Sequence, residues 1–170
     1  MNKLIINDSE FKGFVGKICR EITNSRWTPD YVVGITRGGC IPAVMISHYF
    51  NCRCEMLHVS LRDGGGCETN CWMSEDATGY NGKPKNILIV DDINDSGATL
   101  NWIINDWQGT AYANDTELWK DVWNNNVRFA TVVDNLSSDA IVKVDYVGME
   151  VNKAENDVWI EFPYENWWTK

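Results

Sequence analysis

The sequence lacks any apolar run long enough to cross a membrane, and its first residues lack the basic and then apolar pattern of a secretory leader. We therefore expect a cytoplasmic protein with no membrane partner. Linkers rich in proline, glycine or serine are also missing, and no internal repeat is visible. A chain of 170 residues can bury a sizeable core, so we expect a single domain over residues 1–170.

The sequence has few basic residues: it contains 15 Lys and Arg but 24 Asp and Glu, and its net charge is -9. A protein of this charge would repel the phosphates of nucleic acid, so we expect no nucleic-acid partner. An anionic small molecule would have to be held by a few local groups, because global charge is screened over short distances.

Six cysteines are present, an even number that could form disulfides, but in a chain without a leader we expect reduced thiols. Four of them could in principle hold a zinc ion: Cys52, Cys54, Cys67 and Cys71. Their spacing is not one of the familiar structural zinc patterns, so plain thiols are favoured.

The most informative segment, residues 87–99, reads ILIVDDINDSGAT. Its four leading aliphatic residues predict a strand buried on both faces, as in a parallel sheet covered by helices. Asp91 and Asp92 should lie at the carboxyl end of this strand, where ligands of such sheets gather. The pattern therefore predicts a pair of carboxylates that can bind hydroxyl groups or Mg²⁺.

The second half of the segment predicts the beginning of a helix at Ser96-Gly97-Ala98-Thr99. Free backbone amides and the positive end of the helix dipole favour a phosphate there. Gly97 would let the chain approach the phosphate closely. The alternative is an ordinary turn in which Asp95 or Ser96 caps the helix.

Residues 87–99 resemble the 5-phosphoribosyl-1-pyrophosphate (PRPP) signature of the type I phosphoribosyltransferases, among which the bacterial xanthine-guanine (6-oxopurine) members are most similar. Residues 32–42, VVGITRGGCIP, resemble the family's pyrophosphate loop. Residues 157–165, DVWIEFPYE, are similar to the hood that stacks on the purine. Three motifs in the family's chain order are far more specific than any one alone.

The resemblance implies an α/β fold with a central, mainly parallel sheet flanked by helices, a flexible lid loop and a small C-terminal hood. It implies transfer of the 5-phosphoribosyl group from PRPP to a purine, a 6-oxopurine such as guanine, xanthine or hypoxanthine, in nucleotide salvage. Mg²⁺ is the implied cofactor, PRPP and a nucleobase are the implied partners, and a homodimer or homotetramer is the implied assembly. A PRPP-binding regulatory protein with little or no activity, or a transferase for a different base, is the alternative.

The resemblance also assigns catalytic roles within the signature. Asp91 and Asp92 would hold the ribose hydroxyls and a hydrated Mg²⁺. Asp95 would take or hold the proton on the base nitrogen, unless it merely caps the helix. The residues implied to bind the 5-phosphate are Asp95, Ser96, Gly97, Ala98 and Thr99.

The other two motifs supply the remaining contacts. Thr36, Arg37, Gly38 and Gly39 would bind pyrophosphate, and the family often has a non-proline cis peptide where Thr36–Arg37 stands here. For the base, the resemblance implies stacking on Trp159 and contact with Ile160, and we add Asn135 as a base-binding candidate. A buried core tryptophan is the alternative interpretation of Trp159.

One expected group is missing, because purine-specific members present a lysine to the 6-oxo group of the base. Here the corresponding stretch, residues 132–136, reads VVDNL, and Lys143 should belong to another strand. Without a cation an oxo acceptor loses a charge-assisted bond, whereas Asp134 or Asn135 could accept from an amino group. The identity of the base is therefore open.

Periodicity predicts the remaining elements. Helices are expected over residues 9–24, 42–50 and 99–107, and strands over 31–36, 55–61, 128–133, 142–147 and 159–162. Residues 62–86 show no periodicity and are expected to be a lid or a passive loop. In residues 108–126, Trp119 and Trp123 could share a helical face, as a local extension of the core or, less favoured, an oligomer contact.

Overall fold

A computed structural model of the protein describes residues 2–61, 66–80, 82–110 and 116–169. The strands are β1 (Asn2–Ile5), β2 (Tyr31–Thr36), β3 (Arg53–Ser60), β4 (Gly66–Cys67), β5 (Ile87–Asn94), β6 (Val127–Asn135), β7 (Tyr146–Val151) and β8 (Val158–Glu161). The helices are α1 (Asp8–Asn24), α2 (Cys40–Phe50), α3 (Cys71–Thr78), α4 (Ala98–Thr110) and α5 (Thr116–Trp119), with a 3-10 turn at Trp167–Thr169.

The main sheet has the strand order β4-β3-β2-β5-β6-β7. All neighbouring pairs from β3 to β7 are parallel, and only the short edge strand β4 runs antiparallel. A separate two-stranded parallel sheet joins β1 to β8. The predicted α/β architecture, with a mainly parallel sheet and a small C-terminal hood, is confirmed.

The aliphatic run of β5 is buried on both faces, as its sequence predicts. Leu88 and Val90 belong to a core shared with α1 and α2, whereas Ile87 and Ile89 belong to a second core shared with α3 and α4. This division follows from the two-residue side-chain period of a strand. The helices therefore cover both faces and leave the carboxyl ends of the strands for ligands.

Two of the predicted elements were wrong in part. Residues 62–86 contain β4 and the two-turn helix α3, which Asn70 caps and which buries Met73 and Ala77. A helix this short offers too few apolar positions to show a period, and residues 62–65 and 81 lie outside the described part of the chain. Residues 71–78, which belong to the segment expected to be a loop, therefore form a helix that packs against the sheet.

The strand predicted over residues 142–147 begins only at Tyr146 and continues to Val151. Val144 is buried without belonging to a strand, so the alternating apolar residues there reflect core packing and not sheet pairing. Lys143, which was expected in a strand, lies exposed before β7.

The tryptophans of residues 108–126 extend the core, which was the favoured alternative. They do not lie on one helical face, as the spacing had suggested. α5 ends at Trp119, and Trp123 lies beyond it with its ring stacked on that of Trp119 at 5.4 Å between centroids. Trp107 lies 5.8 Å from Trp123. Residues 111–115 lie outside the described part.

Within the described ranges, no helix is both long and apolar enough to span a bilayer.

Candidate active site

The two carboxylates of the signature lie within the last half of β5, not after it. Backbone amides orient them, since the Asp92 N–H donates to Asp91 Oδ1 at 2.9 Å and the Ile93 N–H donates to Asp92 Oδ1 at 2.8 Å. Both side chains are half-buried at the carboxyl edge of the sheet. The strand thus presents two adjacent carboxylates with fixed orientation.

Electrostatics at this pair favour a cation. Burial raises the pKa of Asp91 well above its usual range, and the charge of Asp92 raises it further. Among the described residues, neither carboxylate has a basic side chain as an ion-pair partner. A divalent cation that keeps most of its waters fits such a pair, because Mg²⁺ commonly uses one or two carboxylates plus ligand oxygens.

The predicted pyrophosphate loop, residues 36–39, joins β2 to α2 and lies against these carboxylates. The Thr36–Arg37 peptide is cis, as the resemblance implied. A Cβ on Gly38 would overlap Asp92 Oδ2, and one on Gly39 would overlap the Val90 carbonyl oxygen. Two motifs that are more than fifty residues apart in sequence therefore meet at backbone distance, which only glycine permits.

His58 adds a contact to this loop that the sequence did not suggest. Its Nδ1 lies 2.8 Å from Thr36 Oγ1, near the carboxyl end of β3. The pairing of β2 with β3 places Thr36 directly opposite His58. A strand register of this kind cannot be read from either segment alone.

The predicted phosphate site, residues 96–99, is a helix start as expected. α4 begins at Ala98, whose N–H lies 3.3 Å from Ser96 Oγ. Gly97 has a φ of +86°, and a Cβ there would overlap the backbone of Ala140. Two structural features therefore require glycine at position 97: the left-handed backbone and the close approach of the Ala140 segment. Both act independently of the predicted approach of a phosphate.

Asp95 forms an ion pair with a residue that the sequence analysis missed. Its Oδ1 lies 2.9 Å from Lys153 Nζ, and the two side chains are 24% and 16% exposed. Lys153 follows β7 by two residues and belongs to none of the three motifs. No local signal could have indicated it, because the pairing depends on the order of β5, β6 and β7 in the sheet.

Asn135, the predicted base contact, is buried and supports this ion pair. Its Nδ2 donates to the main-chain oxygen of Asp95 at 2.8 Å. Its Oδ1 accepts from Lys153 N at 3.0 Å and from Ser137 Oγ at 2.8 Å. Asp134 accepts from Asn94 Nδ2 at 2.8 Å. These hydrogen bonds show that the Asp134 and Asn135 side chains hold the neighbouring loops in place. Contact of Asn135 with the base stays a prediction.

The hood presents Trp159 to solvent, with 43% of the residue exposed, whereas Ile160 is buried. β8 is held by β1, where Lys3 stands opposite Trp159. The buried-core interpretation of Trp159 is therefore wrong, and its ring is free of the two main cores. Stacking on a base remains a prediction that this exposure permits.

Tyr164 connects the hood to the carboxylate pair and was also missed. Its hydroxyl donates to Asp92 Oδ2 at 2.9 Å, and burial together with the nearby Asp92 charge raises the pKa of the phenol. Its ring stacks on Phe162 at 5.5 Å and meets Phe11 edge-on at 5.7 Å. The phenol therefore holds one oxygen of Asp92, while the Ile93 amide holds the other.

The cysteines give the zinc alternative no support. All six are unbonded thiols. The described ranges contain no group of three or more His, Cys, Asp or Glu side chains suited to a metal ion.

Comparisons with known proteins agree on the fold. The family model for the phosphoribosyl transferase domain matches residues 6–165. No curated protein sequence matches the chain.

Several solved structures are similar over nearly their whole length. A purine phosphoribosyltransferase from Pyrococcus horikoshii is 22% identical, with 98% of this chain and 95% of that chain covered and a TM-score of 0.65. A xanthine-guanine-hypoxanthine phosphoribosyltransferase from Helicobacter pylori is 16% identical, with 99% and 97% covered and a TM-score of 0.67. A hypothetical protein from Neisseria gonorrhoeae with bound ppGpp is 18% identical, with 97% and 90% covered and a TM-score of 0.61.

Proposed function

The chain belongs to the phosphoribosyl transferase domain family and is an enzyme of that kind, and from this premise we propose that it transfers the 5-phosphoribosyl group of PRPP to a purine base. The preferred bases are 6-oxopurines, and the process is nucleotide salvage. The observation that carries the proposal is the contact of Gly38 with Asp92, which joins the pyrophosphate loop to the carboxylate pair.

The reaction needs charge stabilisation at two places. Breaking the ribose C1–O bond builds positive charge on the sugar and negative charge on the leaving pyrophosphate. Arg37 and the amides of Gly38 and Gly39 would hold the pyrophosphate, and the start of α4 would hold the 5-phosphate. The two ends of the sugar phosphate are thereby fixed by loops on neighbouring strands of one sheet.

Asp91 and Asp92 would hold the ribose hydroxyls between these loops, and their carboxylates suit a bound Mg²⁺. When bound, Mg²⁺ would neutralise part of the negative charge on the pyrophosphate. The Tyr164 hydroxyl and the backbone amides keep the carboxylates oriented. Orientation by fixed donors is what a transition state with developing charge requires.

Asp95 and Trp159 would serve the base. The Asp95 carboxylate would accept the proton of one base nitrogen while another nitrogen attacks the sugar, and it would favour the cationic ribose. Trp159 would stack on the face of the purine from the hood. A homodimer or homotetramer, expected from the family, and a cytoplasmic location, expected from the sequence, also belong to the proposal.

The experiment is a pyrophosphate-release assay with PRPP, Mg²⁺ and one base at a time: guanine, xanthine, hypoxanthine, adenine or none. Release that requires a 6-oxopurine is the expected result. Calorimetry with Mg²⁺ and PRPP accompanies the assay. PRPP binding without consumption of any base would support the regulatory alternative, and the absence of both binding and release would overturn the proposal.

A further inference from the structure

Tyr164 is a hydrogen-bond donor whose position is fixed by the packing of its own ring. The ring lies parallel to that of Phe162, with 5.5 Å between centroids and 2° between planes, and it meets the Phe11 ring edge-on at 5.7 Å. Phe11 and Phe162 are themselves buried in the core shared with α1 and α2. Aromatic contacts of this kind specify the orientation of a ring, so the hydroxyl is in place before any ligand arrives.

The hydroxyl reaches the oxygen of Asp92 at which three segments of the chain meet. Asp92 Oδ2, on β5, accepts from the Tyr164 hydroxyl at 2.9 Å and would be overlapped by a Cβ on Gly38 of the predicted pyrophosphate loop. The other oxygen, Oδ1, accepts from the Ile93 N–H at 2.8 Å. The two oxygens of a carboxylate carry about four lone-pair sites, so two donors orient the group and still leave sites for a cation.

Mg²⁺ binding depends on how firmly such a carboxylate is held. The ion demands a nearly ideal octahedral arrangement of oxygens, and an unrestrained side chain would lose rotamer freedom when it binds. Partners that hydrogen-bond to a metal-ligating carboxylate orient it, and their removal typically lowers metal affinity roughly 10- to 100-fold. The Ile93 amide belongs to the backbone, whereas one substitution removes the Tyr164 hydroxyl.

We propose that Tyr164 is a positioning residue that sets the Mg²⁺ affinity of the site through Asp92, without touching the metal itself. This inference rests on the proposed function and deepens it. The hood motif, whose implied role is to stack on the base, thereby also acts at the metal-binding end of the site. PRPP binding should then depend on the Tyr164 hydroxyl at low Mg²⁺ concentration and not at saturating Mg²⁺.

The test compares Tyr164→Phe with the matched control Tyr49→Phe. Tyr164→Phe keeps the ring and its contacts with Phe162 and Phe11 but removes the donor to Asp92. Tyr49 is 57% exposed, and within the described ranges its hydroxyl makes no hydrogen bond.

Calorimetry measures the PRPP affinity of each protein over a series of Mg²⁺ concentrations. The Mg²⁺ concentration that gives half of the full effect on PRPP affinity should rise roughly 10- to 100-fold in Tyr164→Phe. It should be unchanged in Tyr49→Phe. At saturating Mg²⁺ the PRPP affinity of Tyr164→Phe should approach that of wild type, because the metal then orients the carboxylate.

Steady-state kinetics with the preferred base separate positioning of the metal ligand from damage to the hood. The Mg²⁺ requirement should rise in Tyr164→Phe, whereas kcat at saturating Mg²⁺ and the KM for the base should stay close to the wild-type values. A displaced hood would instead raise the KM for the base at every Mg²⁺ concentration, since Trp159 belongs to the same motif.

The outcomes distinguish this inference from the proposed function. Wild-type protein that binds no PRPP at any Mg²⁺ concentration, or that transfers to no base, overturns the proposed function. An unchanged Mg²⁺ requirement in Tyr164→Phe overturns the role of Tyr164 alone, and so does a lower one, which would show that the hydroxyl competes with the metal. A loss of PRPP affinity that saturating Mg²⁺ does not restore also overturns this role, because the loss would then be structural.

Discussion

The two halves of the proposed site are built in different ways. The half that would bind PRPP comes from two continuous segments, residues 36–39 and 91–99, each lying where a strand passes into a helix. The half that would bind the base is assembled from Asp95, which follows β5, and Trp159, which lies in β8. A loop that binds through its own backbone leaves a contiguous pattern in the sequence, whereas a site made of single side chains does not.

Substitution of Asp95, the residue at which the two halves meet, should have the largest effect on activity. We expect Asp95→Asn to lower kcat roughly 100- to 10,000-fold, because the amide cannot take the base proton. The affinity for PRPP should change little. Steady-state kinetics and PRPP calorimetry check this, with the exposed Asp121→Asn as control. Equal losses in kcat and in PRPP affinity would mark Asp95 as a purely positional residue.

Gly38→Ala should damage the PRPP half alone. The new Cβ would overlap Asp92 Oδ2, so the loop or the carboxylate must move. We expect the PRPP affinity to fall roughly 10- to 100-fold, the effect of losing one hydrogen bond to a charged group. Gly13→Ala is the control, since nothing lies within 4 Å of a Cβ there. An unchanged PRPP affinity in Gly38→Ala would show that PRPP binding does not depend on the contact between this loop and the carboxylate pair.

Trp159→Ala should damage the base half alone. Loss of one stacking contact should raise the KM for the base roughly tenfold and leave PRPP affinity unchanged. Trp168→Ala removes another exposed tryptophan and serves as the control. If KM rises equally in both variants, or PRPP affinity falls with Trp159→Ala, the division into two halves is wrong at the hood.

Asp91→Asn should give the smallest effect, on stability. The folded-state pKa of Asp91 is raised, so the folded protein binds more protons and its stability falls as pH rises above about 4, the ordinary Asp range. Removing the charge should raise Tm at pH 7 by about 2–4 °C without Mg²⁺, corresponding to about 1 kcal/mol. Thermal unfolding across a pH series checks this against Asp121→Asn, and a lower Tm for Asp91→Asn contradicts it.

The same contrast explains what the sequence could predict. The strand over Tyr31–Thr36 was predicted at its observed bounds, because five buried residues in a row leave a clear pattern. The helix start at residues 96–99 was equally clear. α3 was missed because a helix of two turns that buries Met73 and Ala77 shows no period.

Lys153 was missed for another reason. The resemblance implies a lysine at the end of β6, and the stretch there contains none. Lys153 follows the neighbouring parallel strand β7, whose end lies at the same edge of the sheet, and it pairs with Asp95 there. Strand order and register decide which side chains meet, and neither property is written in a local segment of the chain.

The Tyr164–Asp92 hydrogen bond gives the two halves a thermodynamic connection. The phenol belongs to the chain segment that leaves the hood, and the carboxylate belongs to β5. A ligand that displaced the hood would remove a donor from Asp92, and occupancy of one half would then change the affinity of the other. By linkage, the factor by which one ligand changes the affinity of the other is the same in both directions.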